Sequence, residues 1–324
     1  MRLLAVTPNW LGDMVMSASL LQALKAQLPD VHITALGPAF ASPLLQRLEA
    51  VDEVIESPFS HGGLQWSQRK AFAKTLPPFD AAVVLPNSFK SALIPWMAGI
   101  PKRVGWRGEM RYGVLTHQQK LDKAAYPRMV DRYTALAEHF GVSLSSPNPA
   151  MTPERQIDLP PTVAIAPGAA FGSAKRWPAD RYAQVALRAL AAGYEVALVG
   201  GPTEADDCTA IKNAQPQAYQ SKIRNHAGQL SLGQSIDLIA ACQSAIANDS
   251  GMMHIAAALG VPLVGVFGPT SPEHTPPLSE QAEVVWSRPS CAPCFKRTCP
   301  LKHHECMQSL QPETVVQAMN QVMA

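Results

Sequence analysis

Apolar and polar residues alternate along the chain in blocks that predict a repeated strand–helix pattern. Short apolar runs, the length of buried strands, are followed by segments whose apolar residues recur at the spacing of one helix face. In the first half the predicted strands are 2–7, 31–36, 53–56 and 81–85, and the predicted helices are 14–28, near 40–50, near 64–76 and from residue 88 onward. This order predicts an α/β fold with a parallel sheet covered on both faces.

The pattern stops at residues 145–161 (SSPNPAMTPERQIDLPP), which hold five prolines and no apolar period, as in an interdomain linker. It then restarts, with predicted strands 163–166, 196–199, 245–247 and 263–267 and predicted helices 180–192, near 203–213, 232–241, from residue 251 onward and 312–323. We therefore expect two doubly wound domains, 1–155 and 156–324, with the option that the last helix packs back on the first.

Composition fits this expectation. The 324 residues exceed the usual size of about 150 per domain, and the charged fraction of 16% lies below the average of about 25%, as buried parallel strands require. No apolar stretch reaches the ~18 residues of a membrane span, and the first residues lead into a strand rather than a signal peptide. We expect a cytoplasmic protein that is peripheral to a membrane at most.

The net charge of +2 gives no reason to expect a nucleic-acid partner, but the charge is unevenly distributed. Residues 1–155 carry 16 Lys or Arg against 12 Asp or Glu, and residues 102–132 carry eight basic residues against three acidic ones. This basic segment is either an ordinary solvated face or a surface for an anionic partner.

Candidate ligand-binding residues follow the predicted strands, because ligands of doubly wound sheets bind at the carboxyl ends of the strands. No G-x-G-x-x-G fingerprint or Walker loop is present, which argues against a dehydrogenase and a P-loop NTPase.

After the strand at 163–166, small residues such as Gly168 allow close approach of a ligand and Lys175 offers a charge for phosphate; an ordinary flexible loop is the alternative. After the strand at 196–199, Thr203 is the expected helix cap, and Glu204 either accepts from ribose hydroxyls or pairs with the helix dipole.

The strand at 245–247 is followed by Asp249-Ser250-Gly251-Met252-Met253-His254. The backbone N–H groups of a helix that begins here can hold a diphosphate without a metal ion. Asp249 or Ser250 as a simple cap, with His254 packed beneath, is the plainer interpretation, but the spacing of all these residues favours binding.

One carboxylate, Asp13, stands where the first predicted strand passes into the first predicted helix. It is either a helix cap or a general base. Asn9 and Trp10 add polar and stacking surface to the same turn, and Asn87, Ser88 and Lys90 follow the strand at 81–85.

The turn from Pro8 to Asp13, the Lys175 loop and the turn at 249–254 together resemble the ADP-heptose:lipopolysaccharide heptosyltransferase family. Within that family the Asn9-Trp10 pair makes the chain look most like the heptosyltransferase II type. The resemblance covers essentially the whole chain. It implies a GT-B fold, in which two Rossmann-like doubly wound domains face a central cleft. It also implies inverting, metal-independent transfer of L-glycero-D-manno-heptose from ADP-heptose to the first heptose of the lipopolysaccharide inner core, with the acceptor precursor at the inner membrane and no cofactor.

The resemblance also implies roles for individual residues. Asp13 is the expected general base, and Lys175 is expected to stabilise the donor diphosphate. The expected donor-binding residues are Gly168, Lys175, Glu204, Asp249, Ser250, Gly251 and His254. The expected acceptor-binding residues are Asn9, Trp10, Asn87, Arg103, Arg107 and Arg111.

Four cysteines cluster near the C-terminus, at Cys291, Cys294, Cys299 and Cys306, with His303 and His304 beside them. In a cytoplasmic protein such a cluster suggests zinc before disulfides. Because the spacing lacks the paired CxxC…CxxC form, we expect reduced thiols that pack a loop, with structural zinc as the alternative.

Two other functions remain open at the level of the sequence. One is a sugar-nucleotide epimerase of the UDP-N-acetylglucosamine 2-epimerase kind, which needs acid/base groups around one nucleotide sugar but no anionic acceptor surface. The other is a non-catalytic nucleotide-sugar-binding module.

Overall fold

The computed structural model describes residues 1–59 and 62–324, and the chain divides into two compact units, Met1–Thr152 and Pro153–Ala324. The division falls inside the proline-rich segment. Each unit is built on a six-stranded sheet in which every neighbouring pair of strands is parallel.

The first unit has the sheet order β3-β2-β1-β4-β5-β6. Its strands are β1 (Arg2–Val6), β2 (His32–Pro38), β3 (Glu53–Ser57), β4 (Ala81–Val84), β5 (Lys102–Trp106) and β6 (His117–Gln119). Its helices are α1 (Leu11–Gln27), α2 (Ser42–Leu45), α3 (Trp66–Ala73), α4 (Phe89–Met97) and α5 (Met129–Thr134), with 3₁₀ turns at Ala39–Ala41 and Ala135–Phe140.

Helix α1 is buried on almost every side from Met14 to Leu21, because it packs against α5 as well as lying in the crossover from β1 to β2. A helix that is apolar all round belongs in an interior. Its N-terminus is thereby fixed at the carboxyl end of β1, which places Asp13 there.

The second unit has the sheet order β12-β11-β10-β7-β8-β9. Its strands are β7 (Thr162–Ala166), β8 (Glu195–Leu198), β9 (Ile223–Asn225), β10 (Ser244–Asn248), β11 (Leu263–Phe267) and β12 (Ala282–Trp286). Its helices are α6 (Ala179–Ala191), α7 (Ala205–Asn213), α8 (Leu232–Ala240), α9 (Gly251–Ala258), α10 (Glu305–Gln308) and α11 (Pro312–Val322), with 3₁₀ turns at Ser173–Lys175, Pro202–Glu204 and Gln217–Tyr219.

Strand β7 shows how this sheet holds two cores, since alternate side chains point to opposite faces. Val163 and Ile165 join the cluster formed with α6, α7 and α11, whereas Ala164 and Ala166 join the cluster formed with α8 and α9. The last helix, α11, packs on α6, β11 and β12 of its own unit.

The predicted central strands are present within one or two residues, but six elements were missed: β5, β6, α5, β9, β12 and α10. The missed strands are short or carry charged residues, so they lack a continuous apolar run. The helix predicted near 40–50 is only a 3₁₀ turn followed by α2. The prediction of Thr203 as a helix cap is wrong, because Thr203 lies inside the turn Pro202–Glu204, and Gly201 is the residue that precedes that turn.

Across residues 1–59 and 62–324, no helix is long and apolar enough to cross a membrane.

Candidate active site

Four adjacent strands of the second unit, β11, β10, β7 and β8, deliver polar residues to one edge of the sheet. Lys175 lies in the loop after β7, Asp249 directly after β10, and Thr270 in the loop after β11. Glu204 follows β8. Because these strands are parallel and neighbouring, their carboxyl ends bring residues far apart in sequence together.

Lys175, Asp249 and Thr270 form a compact polar cluster. The Lys175 Nζ lies 2.6 Å from Asp249 Oδ2 and 3.2 Å from the Asp249 carbonyl oxygen, and the Thr270 hydroxyl donates to Asp249 Oδ2 at 2.6 Å. The side chain of Asp249 is only 4% exposed and that of Lys175 only 12%. The lysine is therefore a fixed charge at a buried edge, whereas a flexible loop would leave it in solvent.

Ser250 and His254 lie at the start of α9, directly beside this cluster. Ser250 is the N-cap residue, but its side chain makes no cap hydrogen bond. Its buried hydroxyl oxygen has no hydrogen-bond partner among the residues that the structure describes. His254 is buried, and burial lowers its pKa to about 4, against a smaller opposing effect of Asp249. The imidazole is therefore neutral near pH 7.

Asn248, the last residue of β10, shapes the loop after β7. Its Nδ2 donates to the Pro167 carbonyl, and its Oδ1 accepts from the Tyr182 hydroxyl at 2.9 Å and from the Trp177 N–H at 3.3 Å. Asn248 is completely buried. The start and the end of the Lys175 loop are thus tied to the same side chain.

Glu204 is held by the glycine turns around it. Its Oε2 accepts from the Gly201 N–H at 2.9 Å, and its Oε1 accepts from Thr203 at 2.8 Å and from Arg176 at 3.2 Å. A Cβ at position 168 would stand 2.5 Å from the Glu204 Cγ, so only glycine fits there. The Arg176 contact makes Glu204 part of a polar network, which the sequence did not indicate.

In the first unit the carboxyl ends of β1 to β4 surround an open cavity of about 770 Å³. Among the residues that line it are Thr7, Asn9, Phe40, Arg69, Ser88 and Lys90. Ser88 caps α4 by accepting from the Ser91 N–H. Asn9 therefore reaches the cavity, whose wall also carries the charged side chains of Arg69, Lys90 and Glu109.

Asp13 is the third residue of α1, whose N-cap position is occupied by Trp10. The interpretation of Asp13 as the N-cap is therefore wrong. The Asp13 Oδ1 accepts a hydrogen bond from the Tyr133 hydroxyl at 3.2 Å. Tyr133 is buried in α5, and burial together with the charge of Asp13 raises the pKa of this phenol well above 10. The hydroxyl thus remains a hydrogen-bond donor at neutral pH.

The predicted acceptor-binding arginines separate into two groups. Arg111 is completely buried and donates to the carbonyl oxygens of Pro86 and Trp106 and to the Asn87 Oδ1, and burial lowers its pKa to about 10. Arg103 donates to the carbonyl oxygens of Val114 and Ile100. Arg107 is exposed, with its guanidinium 5.9 Å from the Tyr112 ring.

The expectation of a shared basic surface is corrected for two of these arginines. Arg103 and Arg111 direct their guanidinium groups to backbone carbonyl oxygens of their own unit, which are part of the protein and not of a ligand. Of the three, Arg107 alone is solvent-exposed. Trp10 and Asn87 are exposed as well.

Three residues of these sites were missed at the level of the sequence: Tyr133, Asn248 and Thr270. Thr270 follows the strand predicted at 263–267 and could have been found by the strand-end rule that found Asp249. Asn248 was visible as an amide at a strand end. Tyr133 gave no signal, because it lies 120 positions from Asp13 along the chain.

Comparison with known proteins places these observations in a family. Residues 69–305 match the family model "Glycosyltransferase family 9 (heptosyltransferase)". The lipopolysaccharide heptosyltransferase 2 of Escherichia coli strain K12 is 40% identical over 99% of this chain and 98% of its own length.

Solved structures agree with the sequence relatives. The E. coli ADP-heptose lipopolysaccharide heptosyltransferase II structure has a TM-score of 0.88 and 37% identity, covering 100% of this chain and 98% of that one. The UDP-N-acetylglucosamine 2-epimerase of Methanocaldococcus jannaschii has a TM-score of 0.52 and 11% identity over 100% of this chain and 93% of that one, which is a likeness of fold alone. The fold is α/β of the GT-B type, and the chain belongs to glycosyltransferase family 9, the heptosyltransferase family.

Proposed function

We propose that the protein is an inverting glycosyltransferase that moves L-glycero-D-manno-heptose from ADP-heptose to the first heptose of the lipopolysaccharide inner core. The observation that carries this proposal is the cluster of Lys175, Asp249 and Thr270 beside the N-terminus of α9. A second support is the full-length similarity to proteins named as lipopolysaccharide heptosyltransferases, one of which is named with ADP-heptose. An epimerase is disfavoured, because the similarity to that class extends only to the fold.

The second unit is the proposed donor-binding unit. An ammonium group has three N–H donors, and Asp249 accepts from Lys175 through both its carboxylate and its carbonyl oxygen. A third N–H is then available for a diphosphate oxygen. The Ser250 hydroxyl and the backbone N–H groups of the first turn of α9, which begins at Gly251, would donate further hydrogen bonds to the diphosphate. Glu204 would accept hydrogen bonds from the ribose hydroxyls. A neutral His254 adds no competing charge.

This arrangement would stabilise the departing ADP without a metal ion in the transfer step. Charge grows on the diphosphate as the bond to the sugar breaks, and groups already aimed at that charge lower the barrier. Asp249 and Thr270 would keep the lysine in place during this step. The reaction rate should therefore not depend on added magnesium.

The first unit is the proposed acceptor-binding unit, with Asp13 as the general base that takes the proton of the attacking hydroxyl. Asn9 and Lys90 would contact the acceptor in the cavity, and Arg107, Trp10 and Asn87 are exposed candidates outside it. The acceptor is a lipid-anchored precursor, so binding it would bring the protein to the cytoplasmic face of the inner membrane. We propose no cofactor for the transfer.

The test is incubation with ADP-heptose, with and without the heptosylated inner-core acceptor. ADP release that requires the acceptor supports transfer, isomerised nucleotide sugar would instead indicate an epimerase, and binding without either product would indicate a binding module.

The matched variant is Asp13→Asn, which keeps the size of the side chain but cannot take a proton. We expect turnover to fall roughly 10²–10⁴-fold with ADP-heptose affinity and melting temperature unchanged. Near-normal turnover would remove Asp13 from the mechanism.

A further inference from the structure

The segment that follows β12 gathers its four cysteines around one small cavity. Cys291, Cys294, Cys299 and Cys306 all line it, and His303 and His304 lie in the same wall. Its volume is about 30 Å³, which is room for little more than one water-sized particle. Cysteines separated by up to 15 positions in sequence thus line one small cavity.

Cys306 anchors the cluster to the interior of its unit. It is buried in the core formed with α6, α7 and α11, whereas Cys291, Cys294 and Cys299 are half-buried. A turn closes at Cys299, whose carbonyl oxygen accepts from the Lys302 N–H at 3.2 Å.

The segment has no core of its own, since none of residues 287–304 is fully buried. Between Trp286 and Glu305 it has no helix or strand, and its large apolar residues Phe295 and Leu301 are 47% and 59% exposed. Yet Phe295, Lys302 and His304 adopt left-handed backbone conformations, with φ of 54°, 60° and 49°. A chain without a core of its own needs a cross-link to hold such turns, and metal binding supplies one in other small loop-rich structures.

We propose that Cys291, Cys294, Cys299 and Cys306 bind one thiophilic divalent ion, zinc or ferrous iron, in a tetrahedral site. Four sulfur ligands are the donor set that these ions take. His303 is a weaker candidate ligand, because its Nδ1 already accepts from the Glu305 N–H at 2.9 Å. Within the described residues no three side chains yet converge on one centre, so the ion would draw the thiols inward by rotation about their Cα–Cβ bonds.

The proposed ion would hold the cysteine segment against two loops of the candidate active site. The Arg297 carbonyl accepts from the Ala174 N–H at 3.0 Å, next to Lys175, and the Phe295 N–H donates to the Pro269 carbonyl at 2.8 Å, next to Thr270. A Cβ at position 172 would stand 2.3 Å from the Arg297 oxygen, so only glycine permits this contact. The consequence that loss of the ion weakens ADP binding rests on the proposed function, whereas the metal site does not.

The first experiment measures metal content by elemental mass spectrometry, on protein purified without oxygen and reconstituted with zinc or iron. We expect one ion per chain in the natural protein and almost none in Cys299→Ser or Cys306→Ser. Cys242→Ser is the matched control, because this cysteine lies outside the cluster and its sulfur donates to the Leu238 carbonyl, which a serine hydroxyl can also do. Absence of metal from the natural protein, or equal metal in all variants, would overturn the proposal.

A second measurement does not depend on whether the variants fold. Alkylation followed by peptide mapping should label Cys291, Cys294 and Cys299 slowly in the loaded natural protein and quickly after chelation. Cobalt in place of the natural ion should give the visible bands of a tetrahedral thiolate site. Equal labelling in both states, or disulfides between these cysteines in the natural protein, would also overturn the proposal. If metal is present but its removal leaves ADP affinity unchanged, the site stands and its support of the donor loops does not.

Discussion

At the scale of single residues, the contact between Tyr133 and Asp13 joins a buried donor to the proposed base. The hydroxyl of Tyr133 stays protonated, since its pKa is raised well above 10, and it donates to one carboxylate oxygen of Asp13. We expect this bond to hold the carboxylate in the orientation from which it accepts the proton. Tyr133 is thus a positioning residue, one step removed from the substrate.

Tyr133→Phe tests this role, because it removes the hydroxyl and keeps the buried ring. A hydrogen bond to a charged group is worth about 1.5–3 kcal/mol, so we expect kcat to fall roughly 10-fold or more and the melting temperature to fall by several degrees, with the KM for ADP-heptose nearly unchanged. Tyr126→Phe is the matched control, since Tyr126 packs on the Trp106 ring within the same unit. Equal kcat in both variants would leave Tyr133 with a packing role only.

His254 makes stability depend on pH. Its pKa is about 4 in the folded protein and about 6.5 when unfolded, so the unfolded chain binds the extra proton between these values. The free energy of unfolding should therefore fall as pH drops below 6.5, by about 2 kcal/mol from this residue at pH 5.

The measurement is denaturant unfolding at pH 7 and pH 5 for the natural protein and for His254→Gln, which cannot take up the proton. The natural protein should lose more stability between the two pH values than the variant does. Parallel losses would show that the imidazole is protonated in the folded state.

The residue scale also shows how far sequence predicts a site. Lys175 and Asp249 were both predicted, since each follows a buried strand and strand ends converge in this class of sheet. Their direct contact was not predicted, because it depends on which strands are neighbours. The burial of Arg111 was equally invisible, since nothing local distinguishes an arginine that turns inward from one that faces solvent.

At the scale of elements, Arg111 joins the ends of two neighbouring strands. It donates to the carbonyl of Pro86, after β4, and to that of Trp106, the last residue of β5. Replacing it would leave buried carbonyl groups without donors, at a cost of about 1–3 kcal/mol for each. Arg111 therefore acts as a structural cross-link between the carboxyl ends of β4 and β5.

We expect Arg111→Met to lower the free energy of unfolding by about 3 kcal/mol. Arg107→Met, four positions earlier on the exposed surface, should change it by less than about 0.5 kcal/mol. Urea unfolding of the two variants beside the natural protein makes the comparison. Similar stability of the two variants would mean that the buried guanidinium of Arg111 contributes no net stability to the ends of β4 and β5.

Elements differ in how well sequence predicts them, for a physical reason. Strands β1, β4, β7, β10 and β11 lie inside the sheets and are buried on both faces, so they read as apolar runs. Strands β6, β9 and β12 lie at sheet edges, where one side has no partner strand and polar residues such as His117, Arg224 and Glu283 are tolerated. Their pairing comes from the neighbouring strand, which a local pattern does not record.

At the scale of the whole molecule, the two units share an architecture and differ in what their strand ends carry. The second unit gathers a fixed lysine, a buried carboxylate and a helix N-terminus, which suits a diphosphate. The first unit offers an open cavity of about 770 Å³ with Asn9 and Lys90 in its wall. The similar folds therefore do not imply similar ligands, and each unit should respond to a different substrate.

Hydrogen exchange with and without ADP tests this division of labour on the full-length chain. We expect ADP to slow exchange at residues 168–176, 249–254 and 268–271, where the proposed donor groups lie, and to leave residues 36–40 and 87–94 unchanged. A ligand at 100 times its dissociation constant stabilises the state that binds it by about 2.7 kcal/mol, enough for clear protection. Lys175→Ala should lose most of the effect at the same ADP concentration, whereas Arg107→Met should keep it. Protection centred on the cavity of the first unit would reverse the assignment of donor and acceptor, because ADP would then be recognised by Lys90 and its neighbours instead of by the Lys175–Asp249–Thr270 cluster.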